Sequence, residues 1–139
     1  MGETMKKMIV AIVFLIVIAL LLLNPSIEAS WASSWVAANA KDPQAPEVLY
    51  HAARWCDLLG DGAMADNLYI KLHDQYPDRA DLCAPALYYL AYGIANGSYV
   101  LGLKKGALPY LQDLVNEYPN QVEWQSKGKK LYDEVMHFH

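Results

Sequence analysis

LYHAARWCDLLGDGAMADNLYIKLHDQYP, residues 49–77, decides the fold of this chain. Its apolar residues recur at helical spacing on either side of a Gly60-Asp61-Gly62 break, and Tyr76-Pro77 closes the second run. The closing pair returns 42 residues further on as Tyr118-Pro119. Upstream of each proline the offsets agree: Gly60, Ala65, Tyr69 and Leu72 before Pro77 correspond to Gly102, Ala107, Leu111 and Leu114 before Pro119. A glycine that ends one helix, a small residue where two helices cross, two larger apolar residues and a terminating proline describe a helical hairpin. Its recurrence at a fixed period predicts a repeat architecture.

The flanking sequence extends this reading. Helices are expected over 46–59, with Leu49, Ala52, Ala53, Cys56 and Leu59 as the apolar stripe, and over 63–76, with Ala65, Leu68, Tyr69, Leu72 and Tyr76. The second hairpin is expected over 84–95, with Leu87, Leu90, Ala91 and Ile94 inward, and then from some point after Gly102 to Tyr118. Asn96-Gly97-Ser98 breaks or frays the first of these helices. Pro109 kinks the second if it starts near Lys104, and sits in its first turn if it starts near Ala107. A helix over 122–138, with Trp124, Leu131, Val135 and Phe138 on one side, is expected to cap the array. No stretch alternates with period two, so the expected class is all-α: two stacked hairpins and a capping helix, with no sheet.

The run Leu49, Ala52, Ala53, Cys56, Gly60, Asp61, Ala65, Tyr69, Leu72, Pro77 resembles the tetratricopeptide repeat, down to its Gly-Asp turn and closing proline. The second copy, Ala91, Ile94, Ala95, Gly102, Ala107, Leu111, Leu114, Pro119, matches it less closely. The link Tyr76-Pro77-Asp78…Ala84-Pro85-Ala86-Leu87-Tyr88-Tyr89-Leu90 looks like the variant found in bacterial envelope proteins, such as outer-membrane-assembly lipoproteins and Tol-Pal accessory proteins. Residues 46–136 are covered. The chain departs from the family in a period longer than about 34 residues, in Cys56 where an aromatic is usual, and in Pro109 within the second hairpin. The resemblance implies a scaffold that holds other proteins, with the first helix of each hairpin lining a concave surface.

Met8–Leu23 carries no charged or polar residue and lies directly after Lys6-Lys7. Its 16 residues extend about 24 Å as a helix, short of a bilayer core of about 30 Å. With Ile27-Glu28-Ala29 as a cleavage site it reads as a signal peptide. The length of the apolar run, and Trp31 and Trp35 one turn apart beyond it, suit a retained anchor with tryptophans at the membrane interface. Both readings keep Lys6 and Lys7 inside and carry the chain beyond Ala29 across the membrane, to a periplasmic or other extracytoplasmic location. The expected organisation is thus 1–29 signal peptide or anchor, 30–45 linker with a short helix, and 46–139 helical-repeat domain.

Beyond residue 40 nine Lys/Arg face thirteen Asp/Glu, which disfavours nucleic acid as a partner. Lys127, Lys129 and Lys130 are bracketed by Glu123, Asp133 and Glu134 and read as a solvated helix face. Cys56 and Cys83 would meet an oxidising compartment, yet they fall towards opposite ends of the helical layer, so buried thiols are favoured over a disulfide. His51 and His73 lack ligand-spaced partners, and His137 and His139 stand at the terminus, so no metal is expected. Asp57, Asp61 and Asp66 lack the register of a calcium loop and suit turn and capping roles. Gly102-Leu103-Lys104-Lys105-Gly106 is no phosphate loop, and no nucleophile has an activating motif. We expect no catalysis and no cofactor. The residues expected to point into the concave surface are Tyr50, Arg54 and Asp57, then Tyr89, Tyr92 and Asn96, a set suited to a peptide or a neighbouring subunit. The leading expectation is a non-enzymatic protein-binding scaffold supporting an envelope complex. The alternative is a single-pass accessory subunit of a larger membrane complex, whose apolar segment makes the essential contacts.

Overall fold

An apolar N-terminal run with no helix breaker before Asn24-Pro25 forms one long helix, α1 (Glu3–Leu22), in the computed structural model, which describes residues 2–97 and 101–138. The helix starts five residues before the apolar run, taking in Lys6 and Lys7, with a Glu3–Lys7 ion pair of 3.3 Å along its first turn. At 20 residues it is about 30 Å long, enough to cross a bilayer core. None of it is buried. Among the described residues it is the one helix long and apolar enough for a membrane span, a description that a signal sequence also meets.

Asn24 ends the run and starts the next element: its Oδ1 accepts from the Ser26 amide at 3.0 Å, and Pro25 occupies the first turn. The result is α2 (Pro25–Ala38). Segment 30–45, expected as a linker with a short helix, holds the end of this 14-residue helix and the turn after it, and the helix begins at Pro25, before the expected boundary. Ala32 and Val36 are fully buried and belong to the same core as the first hairpin. Two small or branched residues one turn apart are a weak apolar signal beside two tryptophans, which is why the buried face escapes a periodicity reading.

The remaining helices are α3 (Ala45–Leu58), α4 (Gly62–Gln75), α5 (Ala80–Gly97), the single turn α6 (Leu101–Lys104), α7 (Leu108–Glu117) and α8 (Val122–Met136). A 3-10 turn, Lys105–Ala107, joins α6 to α7. Every described element is helical, and no strand occurs among the described residues. Gly60 has φ +82°, the left-handed conformation that ends α3, and Asp61 then caps α4 by accepting from the Met64 amide at 3.1 Å. Its counterpart Gly102 does not end a helix but lies inside α6. Pro109 sits harmlessly in the first turn of α7. Pro85 is not in a first turn, because α5 begins at Ala80; the carbonyl it leaves without a donor belongs to exposed Asp81. Ser98 and His139 lie outside the described residues.

Each helix packs on the next, α2 on α3, α3 on α4, α4 on α5, α5 on α7 and α7 on α8, and α3 also meets α5, as α5 meets α8. Ala65 and Ala107 are fully buried, one in each of two core clusters. A close approach lies between α7 and α8. A Cβ on Gly128 of α8 would stand 2.7 Å from Leu114 Cδ2 of α7. That closeness lets buried Gln125 donate its side-chain amide to Leu114 O at 2.8 Å and Tyr118 O at 2.9 Å, satisfying carbonyls at the end of α7. The two repeated tyrosines also do more than close helices. Tyr76 donates its hydroxyl to Ala40 O and Tyr118 donates to Pro77 O, both at 2.8 Å, so Tyr76 fastens the end of α4 to the turn before α3 and Tyr118 the end of α7 to the turn before α5.

Candidate functional site

Successive helical residues on α5 place Tyr88, Tyr89, Tyr92 and Gly93 opposite Arg54, Asp57 and Leu58 of α3, and these seven wall a cavity of about 580 Å³. Its floor is an aromatic ladder. Tyr69 of α4 stacks on Tyr89 with ring centroids 6.4 Å apart, Tyr88 lies 5.7 Å from Tyr89 and 6.0 Å from Tyr92, and Trp124 of α8 is 5.6 Å from both Tyr88 and Tyr89. Edge and offset contacts at these distances hold rings firmly. Above them, Tyr92 is 49% exposed and Leu58 71% exposed at the rim.

Arg54 is engaged from within. Its guanidinium carbon stands 3.7 Å over the Tyr89 ring, and Nη1 reaches Asp57 Oδ2 and the Tyr69 hydroxyl, each at 3.4 Å. The Tyr69 hydroxyl in turn donates to Asp57 Oδ2 at 2.7 Å. Burial, together with that carboxylate, holds the Tyr69 phenol above its usual range. Burial also pushes the neighbouring Asp66 carboxyl up from 3.8 to about 6, with the Asp57 charge adding to it. Asp66 Oδ1 faces α5, 3.8 Å from where a Cβ on Gly93 would stand.

Four of the six residues expected on the concave surface, Arg54, Asp57, Tyr89 and Tyr92, therefore meet around one cavity. Tyr50 is half-buried against the core and outside the wall, and burial raises its phenol. Asn96 is also outside the wall; its side chain donates to Tyr92 O at 2.9 Å along its own helix. Tyr88, Leu58 and Trp124 were not among the expected residues. Tyr88 was findable, since it stands one turn from Tyr92. Trp124 carries no local signal, because it arrives from α8.

Of the interface pair, Trp31 is exposed, whereas Trp35 packs partly against the core with its ring stacked at 6.4 Å from Trp31. Cys56 and Cys83 are buried free thiols. Cys83 Sγ donates to Tyr76 O at 3.1 Å, and burial pushes its thiol up to about 11; burial, with Asp61 and Asp57 nearby, raises Cys56 too. His73 Nε2 lies 2.8 Å from Glu117 Oε2, bridging α4 and α7. No group of three or more His, Cys, Asp or Glu side chains converges among the described residues. Comparison of the chain with protein-family models, with curated proteins and with solved structures finds no match in any of the three.

Proposed function

We propose that this chain is a non-enzymatic scaffold of the tetratricopeptide-repeat kind, held in the membrane by α1 and binding a protein partner on the extracytoplasmic side through the groove between α3 and α5. The observation that carries the reading is the groove's rim: Tyr92 and Leu58 stand exposed over a floor of mutually packed rings. Rigid, exposed aromatic area is the composition of interface anchors. With Arg54 already engaged by Asp57 and Tyr69, the partner suited to this groove is a segment presenting an apolar side chain rather than a carboxylate.

The hairpin-repeat reading draws support from the matched roles of Tyr76 and Tyr118 and from the packing of α3 on α5 and α5 on α8. Retention of α1 draws support from α2. Cleavage after Ala29 would remove the Asn24 cap and the first turn of a helix that packs into the core. It would also remove Leu22 O, which accepts from the Trp55 indole at 2.7 Å, and Pro25 O, beside the Cys56 thiol at 3.6 Å. Lys6 and Lys7 support the orientation.

The test is capture from native membranes with the wild type, Tyr92→Ala and Leu58→Ala, whose exposed side chains leave the fold intact. Loss of one bound protein by tenfold or more in each variant, about 1.4 kcal/mol or above, is expected. Undiminished capture by both variants refutes the groove. The second reading, an accessory subunit recognised through its membrane span, is favoured by the wholly exposed apolar surface of α1. It predicts instead that capture is abolished when residues 8–22 are replaced by an unrelated apolar span.

A further inference from the structure

α1 passes into α2 through Leu23 and Asn24 alone. Ile27 and Trp31, one turn apart on α2, are both exposed, as is Leu23 at the break before it, Leu23 at 57% and Trp31 at 56%. Ala32 and Val36, on the other side of α2, are fully buried. From α3 comes Trp55, also exposed, whose indole N–H donates to Leu22 O at 2.7 Å. Leu22, Trp31 and Trp55 share the wall of a second cavity, also about 580 Å³, with Val48 and Ala52 at its back. Exposed leucine and tryptophan side chains that wall one cavity at the end of an apolar helix need a covering.

The position of the patch says what that covering is. The last turn of a membrane-spanning helix lies at the edge of the hydrocarbon, so a cavity with Leu22 in its wall lies at headgroup depth. We propose that Leu22, Trp31 and Trp55 form a membrane-docking face that enters the headgroup–acyl boundary of the bilayer spanned by α1. The inference rests on the reading of α1 as a retained span. The Trp55–Leu22 bond ties the end of that span to α3, and the stacked Trp35 holds the Trp31 ring in place. The domain is therefore seated on the bilayer at a fixed tilt, presenting the tyrosine groove at a set height and direction, and does not swing on a tether. Glu28 and Glu47 stand in the cavity wall and no Lys or Arg does, so the docking is apolar and takes zwitterionic lipid without needing anionic headgroups.

The experiment uses the full chain in phosphatidylcholine vesicles containing lipid brominated near the carboxyl end of its acyl chains, with tryptophan fluorescence as the readout. Of the four tryptophans, Trp31 and Trp55 belong to the face, Trp35 packs partly against the core, and Trp124 packs against Tyr88 and Tyr89. The expected result is quenching of the wild type by about half, retained in Trp124→Phe and lost in Trp31→Phe/Trp55→Phe. It should be unchanged by phosphatidylglycerol or by high salt. Absent quenching, quenching that survives the double variant, or dependence on anionic lipid or salt overturns the proposal. So does shielding of Trp31 from both brominated lipid and aqueous acrylamide, which would place a protein on the face. A nitroxide on Val13→Cys separates the two readings. If it is accessible to an aqueous nickel reagent, the span fails and the docking with it; if it is buried and Trp31 is unquenched, the docking alone fails.

Discussion

Gly128→Ala probes how closely α8 lies on α7. A Cβ at this position would stand 2.7 Å from Leu114 Cδ2, 3.5 Å from Leu114 Cγ and 3.9 Å from Leu111 Cδ2. Carbon atoms pack at about 3.5–4.0 Å, so the new methyl overlaps its nearest neighbour by about 1 Å. Leu114 and Leu111 are both fully buried, which leaves Leu114 little room to turn away. Overpacking of this kind costs about 1–3 kcal/mol. Against it stands the gain of about 1 kcal/mol from replacing glycine by alanine inside a helix. The net expectation is a loss of about 1 kcal/mol, a fall in Tm of about 4–8 °C for a domain near 100 residues. Gly128→Val adds bulk without the propensity gain and should lose more. Gly62→Ala, where nothing lies within 4 Å and φ is not positive, is the control and should hold or raise Tm. Thermal unfolding monitored by circular dichroism reads all three. If Gly128→Ala raises Tm as much as Gly62→Ala, the close crossing of α7 and α8 is wrong.

Asp66→Asn tests the half-buried carboxyl beside the groove. Because its folded value of about 6 lies above 3.8, its contribution to stability is complete below about pH 4, falls away as pH rises to about 6, and stays lost above that. Fully unscreened, the penalty at pH 7 would be about 3 kcal/mol; solvent screening at a half-exposed site reduces it to about 1 kcal/mol. The variant should therefore unfold at higher denaturant than the wild type at pH 7 and at no higher denaturant at pH 4, and equal midpoints at pH 7 refute the assignment. Gln125→Leu leaves the carbonyls of Leu114 and Tyr118 without the side-chain amide that reaches them and should cost about 1–3 kcal/mol in urea unfolding. A smaller loss than that of an exposed Gln112→Leu control would show that Gln125 does not cap α7.

Helix placement was legible wherever punctuation and period agreed. Gly60-Asp61 ends one helix and caps the next through backbone conformation and a side-chain oxygen, and both act within a few residues. Pro77 and Pro119 stop helices for an equally local reason, the missing amide. The all-helical class and the apolar N-terminal helix come from such signals alone. That Arg54, Asp57, Tyr89 and Tyr92 share one side was also legible, because α3 and α5 carry them at helical spacing on faces off the core stripe.

Only the tertiary structure decided the rest. Tyr76 and Tyr118 read as helix-closing residues, yet their hydroxyls reach carbonyls 36 and 41 residues earlier in the chain. The burial of α2, the arrival of Trp124 beneath Tyr88 and Tyr89, the capture of Arg54 by Asp57 and Tyr69, and the crossing at Gly128 are of the same kind. Period and punctuation report which face of a helix is apolar. Which two faces meet, and at what distance, depends on how every helix packs at once, and that is not written in any one stretch of sequence.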